Sequence, residues 1–304
     1  IKPIKNAFPE FSDSIFSTFI INYQGKKAQL AKATLGSKYI GSVFIVNGDI
    51  QFIHTGPIDP YVDIQNDYYN NSFDCISKQK AETKNTKALD KLSNTRSISS
   101  NEQLNMPDVP DSCFKTSKSA YHYEWHVDPA PDYYQNFNSS SPYYGIAYGP
   151  VSAAMLIAYY DINCPKLSTL VPNVTMPVSY EDEPLVAQKL INEFCVDFHL
   201  EENDTSYSNE MTDGLTKYCA RHGFSLNAIY TNQNPFQTLK DITYDKNVCI
   251  IHTEDHWSLG IGYYNVNGDG EYGIVHVGWK NNRGNYYFKK NLIDGILYLS
   301  EDRL

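Results

Sequence analysis

No stretch of this sequence comes near the run of about 20 apolar residues that a membrane-crossing helix needs. Paired Cys-x-x-Cys spacings are missing too. Cys75, Cys113, Cys164, Cys195, Cys219 and Cys249 stand singly, which excludes a zinc ribbon or a thioredoxin-like dithiol. Basic residues are too few for a nucleic-acid partner: 25 Lys and Arg face 35 Asp and Glu, a net charge of −10, and a polyanion is repelled. What is present is a globular composition, 41% hydrophobic and 20% charged over 304 residues, enough for one large domain or two ordinary ones. Six thiols permit disulfides and equally suit a buried-core inventory. The sequons at Asn70, Asn138, Asn173 and Asn203 are no more than so Asn-rich a chain supplies by chance. The 25 tyrosines fit half-buried strand positions at least as well as a recognition surface.

One stretch organises the rest. From Tyr143 to Tyr160 there is no charged side chain, and Gly149-Pro150 opens a run from Val151 to Tyr160 that is apolar on nearly every face except Ser152. Proline suits a first helical turn, and a helix apolar all round belongs inside a domain. Its N-terminus favours an anion, and Tyr148 occupies that seat.

Residues 1–76 read as a small α+β unit. In it Tyr39–Val46 and Asp49–His54 flank Asn47-Gly48, a strong hairpin pattern. Residues 77–112 are dominated by Lys, Thr, Asn, Ser and Gln and read as a polar linker and a processing site. Beyond the central helix, Glu183–Phe198 and Asn209–His222 carry helical periodicity, the first with Leu185, Val186, Leu190, Ile191 and Phe194 in phase. Strand-like runs follow at Ser225–Tyr230, Val248–His252, Trp257–Tyr264, Tyr272–Val277, Asn285–Lys289 and Ile296–Leu299. Helices followed by an antiparallel sheet make an α+β layout, with residues 113–304 as its main domain.

A nucleophile at a helix N-terminus, a histidine opening a distant strand and an orienting group on the next strand make a generalised triad. His256-Trp257-Ser258-Leu259-Gly260-Ile261-Gly262-Tyr263 supplies the middle member, and Gly273–Trp279 follows it. Here the chain resembles papain-like cysteine peptidases of the bacterial C39-like and streptopain (C10) type. In those, Cys-Gly-Pro opens the buried helix and Gly-His opens the strand. The resemblance covers about 120–304 and implies a buried helix packed on an antiparallel sheet, with residues 38–60 faintly similar to an inhibitory pro-domain. It also implies site positions: Tyr148 where the nucleophile stands, His256 as base, and His276 where the orienting Asn or Asp is expected. Gly149, Asp255, Trp257 and Trp279 become cleft residues, and Pro142 falls where an oxyanion-hole glutamine is common. Only His256 keeps a functional side chain of the family.

Those substitutions remove ordinary Cys–His chemistry, since losing an oxyanion donor alone costs about 10²–10³ in rate. Ser152, one turn beyond Tyr148, is a weak substitute and reads as helix packing. His252, His256 and His276, with Glu254 or Asp255, have no diagnostic ligand spacing, so neither a metal nor a cofactor is implied. The expectation is a pseudopeptidase with a binding, regulatory or structural role, holding a peptide, a protein or a saccharide in the former cleft. The alternative is a secreted endopeptidase zymogen whose nucleophile has been changed. A purely structural or adhesive surface protein needs no cleft at all. The chain starts at Ile1, and the expected setting is extracellular or cell-surface, as a processed secreted chain.

Overall fold

A computed structural model describes residues 4–5, 8, 11–23, 26–35, 38–46, 48–55, 106–107, 114–118, 122–137, 141–171, 184–200, 206–253, 256–266, 270–278 and 284–301. The linker apart from Met106 and Pro107, all four sequons, Cys75, Cys113, Asp255 and Trp279 lie outside these residues.

The described chain is α+β. Four strands come first: β1 (Ile15–Tyr23), β2 (Lys26–Leu35), β3 (Lys38–Val46) and β4 (Asp49–Thr55). They form an antiparallel meander, and the β3–β4 turn carries Gly48 at φ +87°, a conformation that glycine adopts without steric cost. Next come β5 (Phe114–Lys118) and β6 (His122–Val127), then the helices α1 (Tyr148–Asn163), α2 (Pro184–Asp197) and α3 (Ser208–Arg221). The remainder is β7 (Leu226–Thr231), α4 (Pro235–Tyr244), β8 (Cys249–Thr253), β9 (His256–Val266), β10 (Gly270–His276), β11 (Tyr286–Lys289) and β12 (Ile293–Glu301).

All twelve strands belong to one sheet, with the path β1-β2-β3-β4-β11-β10-β9-β8-β12-β7 and β6 bridging β5 to β9. The strands of the first unit thus form a β-meander that continues the sheet of the main domain. Tyr286, Tyr287 and Phe288 of β11 pair with His54, Ile53 and Phe52 of β4. Phe8 seals the junction, stacking on Tyr264 with ring centroids 4.7 Å apart and meeting Tyr287 edge-on at 4.9 Å.

Two cores flank the sheet. The larger gathers α1, α2 and α3 with Leu259, Ile261, Tyr264, Tyr272 and Ile274. The smaller packs Leu239 and Ile242 of α4 on Ile251, Val275, Ile293 and Ile296. Helix α1 is buried from Tyr148 to Asp161, as a run apolar on all faces requires. The hydroxyls of two of its buried tyrosines are satisfied, because Tyr159 donates to Lys246 O at 2.6 Å and Tyr160 to Val248 O at 3.4 Å. In α2 the buried seam is Ala187, Leu190, Ile191, Phe194, Cys195 and Phe198, whereas Leu185 is 86% exposed. At 100° per residue Leu185 falls outside that seam. Cys164, Cys195, Cys219 and Cys249 are buried free thiols.

Candidate functional site

The N-terminus of α1, the start of β9 and the end of β10 meet in one place. Tyr148, the first residue of α1, is only 8% exposed. Its ring meets that of His256, the first residue of β9, edge-on with centroids 4.4 Å apart. His256 Nε2–H donates to Val277 O at 2.8 Å. That bond puts the proton on Nε2 and makes Nδ1 the acceptor nitrogen. Burial disfavours the imidazolium and lowers the His256 pKa to about 4, with the Val277 carbonyl opposing the shift and His252 adding to it. An imidazole held at so low a pKa is a weak base, and it stays neutral at physiological pH.

His276 does not orient His256. Neighbouring strand residues point to opposite faces, and the His276 ring turns to other partners. Its Nδ1–H donates to Pro131 O at 2.8 Å, and its Nε2 lies 3.1 Å from Asn285 Oδ1. The group that holds His256 is the main-chain carbonyl of the next residue. The sequence could not point to it, because every residue carries one.

Gly149 is required by a close approach. A Cβ there would sit 2.3 Å from Ser206 Oγ and 2.5 Å from Ser206 Cβ. Ser206 is in turn held by Trp257, whose indole N–H donates to Ser206 O at 3.0 Å. Trp257 is thus a buried pin between β9 and the segment leading into α3, and it also packs on His252 and Tyr230. Ser206 Oγ and Ser152 Oγ are both buried without a hydrogen-bond partner.

Pro142 is exposed and has no side-chain amide to offer. The side-chain amide at the helix start belongs to Gln135 instead. Ala147 N–H donates to Gln135 Oε1 at 3.3 Å, and Gln135 N–H donates to Gly278 O at 3.1 Å. Gln135 therefore joins the α1 N-terminus to the end of β10. It precedes Tyr148 by 13 residues, not by the six that separate Pro142 from Tyr148.

The three histidines considered as metal ligands keep separate partners: His252 bonds the Asp294 carboxylate, His256 Val277 and His276 Pro131. Among the described residues no group of three His, Cys, Asp or Glu side chains is gathered as a metal site would require. No protein-family model, curated protein or solved structure matches this chain. The geometry alone carries the functional reading.

Proposed function

We propose that this protein is a pseudopeptidase, a papain-like domain of the C39-like or streptopain type that binds in its former active-site cleft and does not cut. The observation that supports this reading is the packing of Tyr148 against His256 at 4.4 Å, at the start of a helix buried from end to end. A helix N-terminus beside a strand histidine is the setting in which a thiolate is stabilised. Here a phenol fills it, and the neutral histidine is too weak a base to ionise that phenol. Gln135 retains a carboxamide at the helix start, so the scaffold for acyl chemistry outlasts the nucleophile. On this reading the former cleft takes a peptide or protein ligand, or a saccharide.

The test compares the protein with a Tyr148→Cys variant, using an epoxide-type thiol-protease label and an unfolded protein substrate. The protein as it stands is expected to take up no label and to leave the substrate intact, while the variant takes up the label. Turnover by the unaltered protein would overturn the proposal.

A further inference from the structure

On the sheet face that carries α4, well apart from the Tyr148–His256 pair, the chain builds a second and different surface. Trp125 of β6 lies directly across from Tyr263 of β9, and Tyr123 shares their side of the sheet two residues away. The Trp125 ring stacks on Tyr244 of α4, with centroids 4.9 Å apart and planes within 10°. Tyr123 continues the array at 6.1 Å from Trp125 and 6.0 Å from Tyr263. The array is fixed before any ligand arrives. Trp125 Nε1–H donates to Thr243 O at 3.2 Å, and Thr243 is itself buried with its hydroxyl on Leu239 O at 2.8 Å. Yet Tyr244 is 63% exposed, so the outer face of this anchored stack is open.

The charges beside it cancel locally once Lys246, whose ammonium acts on the Asp245 carboxylate, is counted with Lys240 and Lys290. Glu271 accepts from Lys290 at 2.7 Å and from Lys240 at 3.4 Å, and Lys240 lies 5.2 Å from the Tyr263 ring centroid. Asp241 and Asp245 lie on either side of Tyr244 along the chain. Three carboxylates (Glu271, Asp241, Asp245) against three ammonium groups (Lys240, Lys290, Lys246) leave no strong field of either sign, which fits an uncharged ligand. Peptide capture by strand addition to β6, the strand that carries Tyr123 and Trp125, is closed off, because β6 already pairs β5 on one edge and β9 on the other. A nucleic acid is disfavoured by the net charge of −10. What fits is a flat, uncharged, hydroxyl-rich molecule. The slightly positive C–H groups on one face of a sugar ring suit the negative face of an aromatic ring, while its hydroxyls reach the nearby Tyr, Lys and Glu groups.

We infer that the Tyr123–Trp125–Tyr244–Tyr263 array is a binding platform for neutral saccharides. It stands independently of the pseudopeptidase reading. A rigid aromatic pair loses little conformational freedom on binding, which favours affinity from few contacts.

The test titrates the full chain with cellohexaose, chitohexaose, maltohexaose and mannohexaose, followed by tryptophan fluorescence and saturation-transfer NMR. At least one of these is expected to bind, with saturation transferred from the Tyr and Trp rings. Tyr244→Ala, at an exposed position, should weaken that binding about tenfold, with the far-UV circular dichroism unchanged. Trp125→Phe, which keeps a ring but removes the Thr243 anchor, should weaken it as well. Val196→Ala, on the exposed side of α2, should leave it as it was. The inference is overturned if none of the four sugars binds or if binding ignores Tyr244→Ala. It is equally overturned if an oligouronate binds more tightly than all four, or if the only ligand of this face is a protein.

Discussion

His256 gives the site a measurable pH signature. Its pKa falls from an ordinary 6.5 to about 4 on folding because burial disfavours the charged ring. Between pH 6.5 and 4 the unfolded chain binds this proton and the folded chain does not. Stability from this group is therefore complete above pH 6.5 and lost as pH falls towards 4, by about 2–3 kcal/mol. Urea unfolding across this range should show that slope, and His256→Gln should flatten it without changing the behaviour above pH 7. The thiols give a second prediction. Burial pushes Cys219 up to about 12 and raises Cys164 and Cys249 as well, so none is a nucleophile at neutral pH. Iodoacetamide should leave Cys164, Cys195, Cys219 and Cys249 unmodified in the native protein and modify all four in urea, as peptide mass spectrometry would show.

Helix α1 sets the geometry of the site through its first turn, and Gly149 is its weak point. In Gly149→Ala the new Cβ would press on Ser206, which Trp257 prevents from moving freely. Overpacking of this kind costs about 1–3 kcal/mol, read as a lower denaturant midpoint. The Tyr148–His256 contact should loosen with it. Much of this element pattern was legible in the sequence. Gly149-Pro150 before an uncharged run announced α1, and the 3.6-residue periodicity of Met211, Leu215, Tyr218 and Cys219 announced α3. Helix α4 escaped because only Phe236, Leu239 and Ile242 carry its apolar stripe in ten residues. The Asn234-Pro235 pair, with Asn234 at φ +47°, was the cue that could have found it. Strand β5 escaped because Phe114 is its one apolar residue, whereas His122-Tyr123-Glu124-Trp125-His126-Val127 of β6 alternates with period two, a cue that could have found it. Gln135 and the Val277 carbonyl reach the site only through tertiary contacts, which no spacing rule encodes.

One sheet joining β1 to β7 makes the N-terminal strands part of the same cooperative unit as the helices. Phe8 tests this. It touches Tyr264 and Tyr287, hundreds of residues along the chain, and Phe8→Ala should cost about 3–5 kcal/mol. The expected result is one shifted unfolding transition, seen alike by tryptophan fluorescence and by far-UV circular dichroism. Two separated transitions would mean that the meander folds alone. The β4–β11 pairing also has a meaning in time. During synthesis Ile53 leaves the ribosome long before its partner Tyr287. At roughly 5–20 residues per second the free edge of β4 waits on the order of ten seconds or more for β11 to arrive. For that interval the nascent meander presents an unpaired strand edge, a template for pairing with another chain.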